Sequence, residues 1–340
     1  MASPDDPLVS VITPVYNGAE FLPKCIESVI GQTYRNWRYH IVNNCSTDRS
    51  LEIARAYAER DGRIRVHDCS QFLPVIENHN RAISLLDAEA AYCKPLMADD
   101  WLYPECLVQM VALARAHPSL GLVCSYVRTN RDVRCTAFMD RGELASVMSG
   151  AAACREALLG PVYFFGSPTA TLIRADLIRK RTPFYNPENL HADTEACYDI
   201  LQESDFGLVH QILAYVRLHE RSQTAKVADL ESALIGRVYS VAKYGRRYLT
   251  GEEFETLSRR TLNNYYSRLA IAALRMRGKE FWDFHRSKLA SMGISLDRIR
   301  LARAIMAYAA RRALSPVSVA HSICLWWPAA LRSKLRKSSK

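Results

Sequence analysis

Along the first 130 residues, hydrophobic positions alternate between short unbroken runs and stripes at helical spacing. Leu8 to Val15 is a β-branched run that gives way to Tyr16, Asn17 and Gly18, which reads as a strand entering a turn. Residues 20–31 place Phe21, Cys25, Ile26, Val29 and Ile30 on one helical face, with Gly31 closing the helix. The same alternation predicts strands over 37–42, 64–67, 92–98 and 120–127, and helices over 50–60, 75–86 and 107–117. Strands that alternate with helices in this way specify an α/β fold, an open, mostly parallel Rossmann-type sheet flanked by helices. In such sheets ligands bind outside the carboxyl ends of the strands. Three polar turns fall there, at residues 14–18, 43–48 and 98–101, and they predict one pocket.

Residues 131–190 are less regular, with turns marked by Gly160, Pro161, Gly166 and Pro168 around Tyr163, Phe164 and Phe165. A helix is predicted over 191–203, then short apolar segments at 206–209 and 212–216 leading to Arg217, Leu218 and His219. From about Asp229 the pattern is helical throughout. The expected organisation is therefore a domain over 1–228 and an all-helical C-terminal extension over 229–340.

Composition narrows the class. A chain of 340 residues with 49% hydrophobic content can bury a large core. The net charge of +10 suggests nucleic acid at first, but ten cations against Asp297 alone lie beyond residue 290, so the remainder is nearly neutral. That basic end carries few interleaved aromatics besides Trp326 and Trp327, which argues against a nucleic-acid partner. The ten cysteines show no metal-type spacing, and the acidic start MASPDDPLVS is unlike a signal peptide, so free thiols in the cytoplasm are expected.

The run VSVITPVYNGAEFLPKCIESVIGQTYRNWRYHIVNNCSTDRSLEIA resembles the opening of family 2 glycosyltransferases. Ser28, Gln32, Thr33 and Tyr34 match that family's helix-ending motif, and Ser46, Thr47 and Asp48 match the end of its acidic turn. ADDWLYPECL resembles its metal-binding acidic motif. The likeness extends over roughly residues 8–225 and rests on the order of the motifs. It implies a GT-A-like fold and an inverting enzyme that takes a sugar from a nucleotide donor for a glycan or lipid-linked acceptor, in polysaccharide or glycolipid synthesis. It also implies a Mg²⁺ or Mn²⁺ cofactor, since a hard cation held by carboxylates neutralises a departing diphosphate.

By that resemblance Asp100 holds the metal and Asp99 contacts the donor's ribose or a metal-bound water. Read alone, the pair is also an acidic cap for the next helix. Ala98 stands where many relatives have another carboxylate. Pro14, Tyr16 and Asn17 match the base-binding turn. Asn43 and Asn44 replace the usual paired acids and Cys45 the glycine, although an amide can still donate to and accept from a base edge. Asn78, Asn80 and Arg81 lie where relatives contact the donor, or else form a solvated helix face. In HADTEACYDILQESDFGLV, Asp193 aligns with the family's general base, with Glu195 as its alternative; both residues also suit the first turn of a helix. RLHERSQT resembles the Arg-x-His segment, which makes His219 a metal or phosphate ligand and Arg217 or Arg221 the cation that meets the leaving diphosphate.

Two other classes compete with this reading. A nicotinamide-dependent dehydrogenase needs GxGxxG after the first strand, and residues 14–20 offer Gly18 alone. A catalytically impaired sugar-nucleotide or partner-binding module would account for Ala98, Asn43 and Asn44, but not for Asp99, Asp100, Asp193 and His219 together. The uncharged run 313–331, set between basic clusters, holds Pro316, His321 and Pro328 and is a poor spanning helix. It suits either an interfacial anchor on the inner face of a membrane or a helix packed against the catalytic domain.

Overall fold

The computed structural model describes residues 6–130, 146–160, 164–219 and 230–313. The chain divides into two compact units, residues 1–236 with 243–251, and residues 237–242 with 252–340.

The first unit opens with β1 (Val9–Val15), every residue of which is buried, as expected of a strand covered on both faces. Helix α1 (Leu22–Ile30) follows, with Pro23 in its first turn and Leu22, Cys25, Ile26 and Val29 on its buried face. Next come β2 (Trp37–Asn43), α2 (Ser50–Ala58), β3 (Ile64–Asp68), α3 (Val75–Ile83) and β4 (Tyr92–Pro95). These four strands lie side by side in the order β3-β2-β1-β4, all parallel. In this half the expected topology is found element by element, with ends differing by a few residues.

The other half of the sheet is mixed. After β5 (Trp101–Leu102), α4 (Cys106–Ala116), β6 (Leu120–Thr129), β7 (Val147–Met148) and α5 (Gly150–Leu159), strand β8 (Thr171–Arg174) inserts antiparallel between β4 and β6. Helices α6 (Ala175–Arg179) and α7 (Ala192–Ile200) lead to β9 (Asp205–Val216), which runs parallel to β6. Strand β9 joins the two short segments expected at 206–209 and 212–216, and its register shifts opposite Ser125 and Tyr126 explain the polar interruption between them. Strand β5 pairs antiparallel with its far end, Trp101 opposite Tyr215. That pairing carries the residues after Val216 back toward the acidic pair before Trp101.

Beyond β9 the described residues contain helices alone: α8 (Ser232–Tyr248), α9 (Gly251–Leu274), α10 (Lys279–Ser291) and α11 (Arg298–Ala313). In the second unit Leu269, Ala270, Phe281 and Leu289 are buried, and Tyr265 Oη meets His285 Nδ1 at 2.9 Å. No helix among the described residues is long and apolar enough to cross a membrane. The run from 314 onward, with Trp326 and Trp327, lies outside the described residues, as does Arg221.

Candidate active site at the carboxyl edge of the sheet

The turns after β1 and β2 form one hydrogen-bonded unit. Asn17 takes a left-handed backbone (φ 51), which asparagine tolerates, and its Oδ1 accepts from Thr47 N at 2.8 Å. Ser46 Oγ accepts from Asn17 N, Ser50 Oγ from Gly18 N, and Asp48 Oδ2 from Ala19 N. A side chain at Gly18 would come within 2.9 Å of Val15 Cγ2 at the end of β1, so the chain turns tightly back on its own strand here. Cys45 is left-handed too (φ 57), which is the physical reason a glycine suits that position. Tyr16 stands 49% exposed at the mouth of this unit, edge-on to Phe72, which is 57% exposed, with ring centroids 5.0 Å apart.

The two asparagines that follow β2 are not at the surface. Asn43 is 1% and Asn44 2% exposed. Asn43 Nδ2 donates to Asp68 Oδ1 at 2.8 Å, and Asn44 bonds both the N–H and the carbonyl of Leu73. Both amides are thus engaged inside the protein, tying the end of β2 to the end of β3 and to the loop that follows it. Asn80 is committed in the same way to the backbone of Tyr185, accepting from its N–H and donating to its carbonyl. Arg81, by contrast, is exposed at the end of β3, beside Cys69.

The acidic pair is organised by residues far away in sequence. Asp99 Oδ2 lies 2.8 Å from His219 Nε2, and Arg217 Nε reaches the Asp99 carbonyl at 3.3 Å. Asp100 is 3% exposed; its Oδ1 accepts from Arg217 N at 2.9 Å and its Oδ2 from Thr169 Oγ1 at 2.5 Å. Burial first, and then the charge of Asp99, hold the Asp100 carboxyl well above the usual carboxylate range, against the pull of Thr169 and Arg217. The Arg217 guanidinium stacks over Phe21 and Trp101, at 4.5 and 5.4 Å from their ring centroids. Arg217 thus shapes the acidic turn, and its guanidinium is held by aromatic rings.

The motif Ser28, Gln32, Thr33 fastens α1 to the segment after the acidic pair. Ser28 Oγ accepts from Leu102 N, Gln32 Oε1 from Leu107 N, and Gln32 Nε2 donates to Tyr103 O and Ser28 O. Thr33 donates to Pro104 O through both its backbone N–H and its hydroxyl.

At the start of α7, Asp193 Oδ1 accepts from Thr194 N at 2.8 Å, and burial raises its pKa. Glu195 is caged: Asn186 and Asn189 donate to it at 3.1 and 2.7 Å, and Lys243 Nζ lies 2.5 Å away. Glu195, the alternative base, is thus held from several sides and braces the turn that carries Asp193.

For a divalent cation, Asp99 and His219 converge on one point, while Asp100 would first have to release Thr169 or Arg217. Among the described residues no group of three or more His, Cys, Asp and Glu side chains forms a complete cage. Two protein ligands, the rest of the shell coming from phosphate oxygens and water, is how Mg²⁺ is usually held at phosphate-binding sites. The donor set of Asp99, Asp100 and His219 therefore fits such a cation, with Asp99 the more exposed of the two carboxylates.

Thr169, Phe21 and Lys243 escaped the sequence reading, as did Lys94, which is fully buried with its ammonium on the carbonyls of Thr169 and Thr171. A lysine inside an apolar strand, Tyr92–Pro95, was the available signal for the last of these.

The half-sheet of parallel strands thus carries two joined turns and an acidic pair at its carboxyl edge, the arrangement of an open α/β fold with its site at the strand ends. Residues 10–182, just over half of the chain, match the glycosyl transferase family 2 model. The chain belongs to that family. Glycosyltransferase GlyA of Streptococcus pneumoniae is 33% identical over 130 residues, covering 36% of this chain and 17% of that protein. The putative glycosyltransferase EpsH of Bacillus subtilis is 32% identical over 129 residues, covering 38% of this chain and 36% of that one. The matched stretch is thus well under half the length of these relatives. Among solved structures, S. aureus TarS 1–349 in complex with UDP-GlcNAc superposes with a TM-score of 0.63 at 17% identity, over 84% of this chain and 80% of that one. Mannosyltransferase PcManGT from Pyrobaculum calidifontis, in complex with GDP-Man and Mn²⁺, gives 0.53 at 16% identity, over 95% and 86%. At those identities the likeness speaks for the fold.

Proposed function

We propose that this chain transfers a glycosyl group, with inversion, from a nucleoside-diphosphate sugar to an acceptor hydroxyl on a glycan or lipid-linked carrier, in the building of a cell-surface polysaccharide or glycolipid. The observation that carries the reading is the convergence of Asp99, Asp100, Arg217 and His219 at the carboxyl edge that also holds the turns after β1 and β2. Nucleotide-sugar complexes of similar folds support the donor class.

Asp99 and His219 would hold Mg²⁺ or Mn²⁺, and such a cation, when bound, neutralises the charge that grows on the departing diphosphate. Asp100, tied to Thr169 and to the Arg217 N–H, fixes the turn that presents Asp99. Tyr16 and Phe72 offer rings to the base. Arg81 supplies an exposed cation near the end of β3. Inversion needs a base on the face opposite the leaving group, and Asp193 takes that role by removing the acceptor hydroxyl's proton. Its raised pKa makes it a stronger base than an ordinary carboxylate, and transfer must then fail on the acid side with a midpoint above 3.8. The scattered free cysteines support a cytoplasmic location, with the basic tail as a membrane-surface contact.

The test is transfer from a panel of nucleotide sugars with Mn²⁺, for wild type, Asp99→Asn and Asp193→Asn. Losing the base should lower transfer by about 10²–10⁴-fold while nucleotide affinity stays, and Asp99→Asn should weaken the dependence on Mn²⁺. Wild-type turnover in both variants would sink the catalytic reading.

A further inference from the structure

The parallel register sets Val15, Asn43 and Asp68 in one row across the ends of β1, β2 and β3. At this edge the family's usual acids are Asn43 and Asn44, and both are closed off inside the protein. Asp68 is not: its side chain is 42% exposed. One of its oxygens is held by the buried Asn43 amide at 2.8 Å, which orients the carboxylate. The other faces Arg55 at a loose 3.4 Å, between two exposed side chains, a contact that water readily replaces. The loop that follows β3 carries Phe72 to the Tyr16 ring, and it is anchored by the paired hydrogen bonds of Asn44 to Leu73 and by Cys45 Sγ on the Cys69 carbonyl. An oriented carboxylate and two exposed rings thus share one rim.

We propose that Asp68 reads the base of the donor, accepting the ring N–H of uracil or guanine while Tyr16 and Phe72 contact the base. The inference rests on the nucleotide-donor reading above and assigns its base specificity to a residue of β3. A carboxylate only accepts hydrogen bonds. Uracil and guanine turn a ring N–H toward it, whereas cytosine and adenine turn a ring lone pair, which it repels. Ring contact does not distinguish bases, because every base has a π-face. Asp68 therefore governs which base binds, and Phe72 how strongly any base binds.

The experiment is calorimetric titration of the full-length protein, with Mn²⁺ present, by UDP, GDP, CDP and ADP, repeated for Asp68→Asn and Phe72→Ala. Asp68→Asn keeps the shape and leaves an oxygen for Asn43, and unchanged thermal melting checks its fold. Wild type is expected to bind UDP or GDP at least about tenfold more tightly than CDP and ADP, the factor a hydrogen bond to a charged group typically carries. Asp68→Asn should reduce that preference to within about threefold, and Phe72→Ala should weaken all four nucleotides by a similar factor. A wild-type ranking retained in Asp68→Asn, or a wild type that prefers CDP or ADP, overturns the role of Asp68 and leaves the donor reading intact. Binding of none of the four by wild type overturns the nucleotide-donor reading itself, and this inference with it.

Discussion

Replacing Gln32 with alanine tests whether the helix-ending motif holds the acidic turn in place. Gln32 is 0% exposed, and its amide joins segments more than seventy residues apart: Nε2 to Ser28 O at 2.9 Å and Tyr103 O at 2.8 Å, Oε1 from Leu107 N at 3.0 Å. Tyr103 O keeps a second donor in Cys106 N. Leu107 N belongs to the first turn of α4, where no intrahelical acceptor exists, so Gln32→Ala leaves it orphaned in the interior. An unsatisfied buried backbone group costs about 1–3 kcal/mol, and the void left by the shortened side chain adds to it. The expected loss is about 2–4 kcal/mol, read as a lowered urea midpoint at unchanged m-value. Gln32→Glu preserves the volume and an acceptor for Leu107 N but removes both donors and buries a charge, so it should be destabilised as well. Because the fastened segment starts immediately after Asp100, nucleotide affinity should fall in both variants under conditions where they remain folded. A loss below about 1 kcal/mol in Gln32→Ala would refute the bracing argument.

Asp87 gives a pH prediction. Burial raises its pKa, but hydrogen bonds from His40, Ser10 and Arg38 outweigh that and hold it at about 2, below the ordinary 3.8. The unfolded chain therefore takes up this proton before the folded one. The stabilisation is complete above 3.8 and is lost as pH falls toward 2, amounting to about 1–2 kcal/mol once partial solvent screening is allowed for. Urea titrations at pH 7 and pH 3 should show a smaller acid loss in Asp87→Asn than in wild type; equal losses would count against it. Lys243→Met takes the ammonium away from the buried Glu195 while its asparagine donors stay in place. Discounted for the partly exposed ammonium, the cost should be about 1–2 kcal/mol, with kcat falling more than the donor KM changes and Lys243→Arg restoring it. An unchanged kcat in Lys243→Met would remove the bracing role of Glu195.

What the sequence determined by itself lies within short spans of chain. Residues 9–95 alternate buried strands with one-faced helices, and each turn carries a residue that suits its backbone: Asn17 at positive φ, Gly18 where the chain folds tightly back on Val15, Asp48 bonded to Ser50. Such patterns are legible because the interactions that enforce them act over a few residues. Tertiary structure decided the rest, because those contacts close over long separations. The insertion of β8 between β4 and β6 rests on a strand of four residues, Thr171–Arg174, too short to show a period. His219 meets Asp99 across 120 residues, Thr169 meets Asp100 across 69, and Lys243 meets Glu195 across 48. The sequence named Asp99, Asp100, Glu195 and Asn43 as polar groups near a site. Only folding showed what surrounds them, because the burial and hydrogen bonds of Asp100, Glu195 and Asn43 come from residues brought together by the tertiary structure.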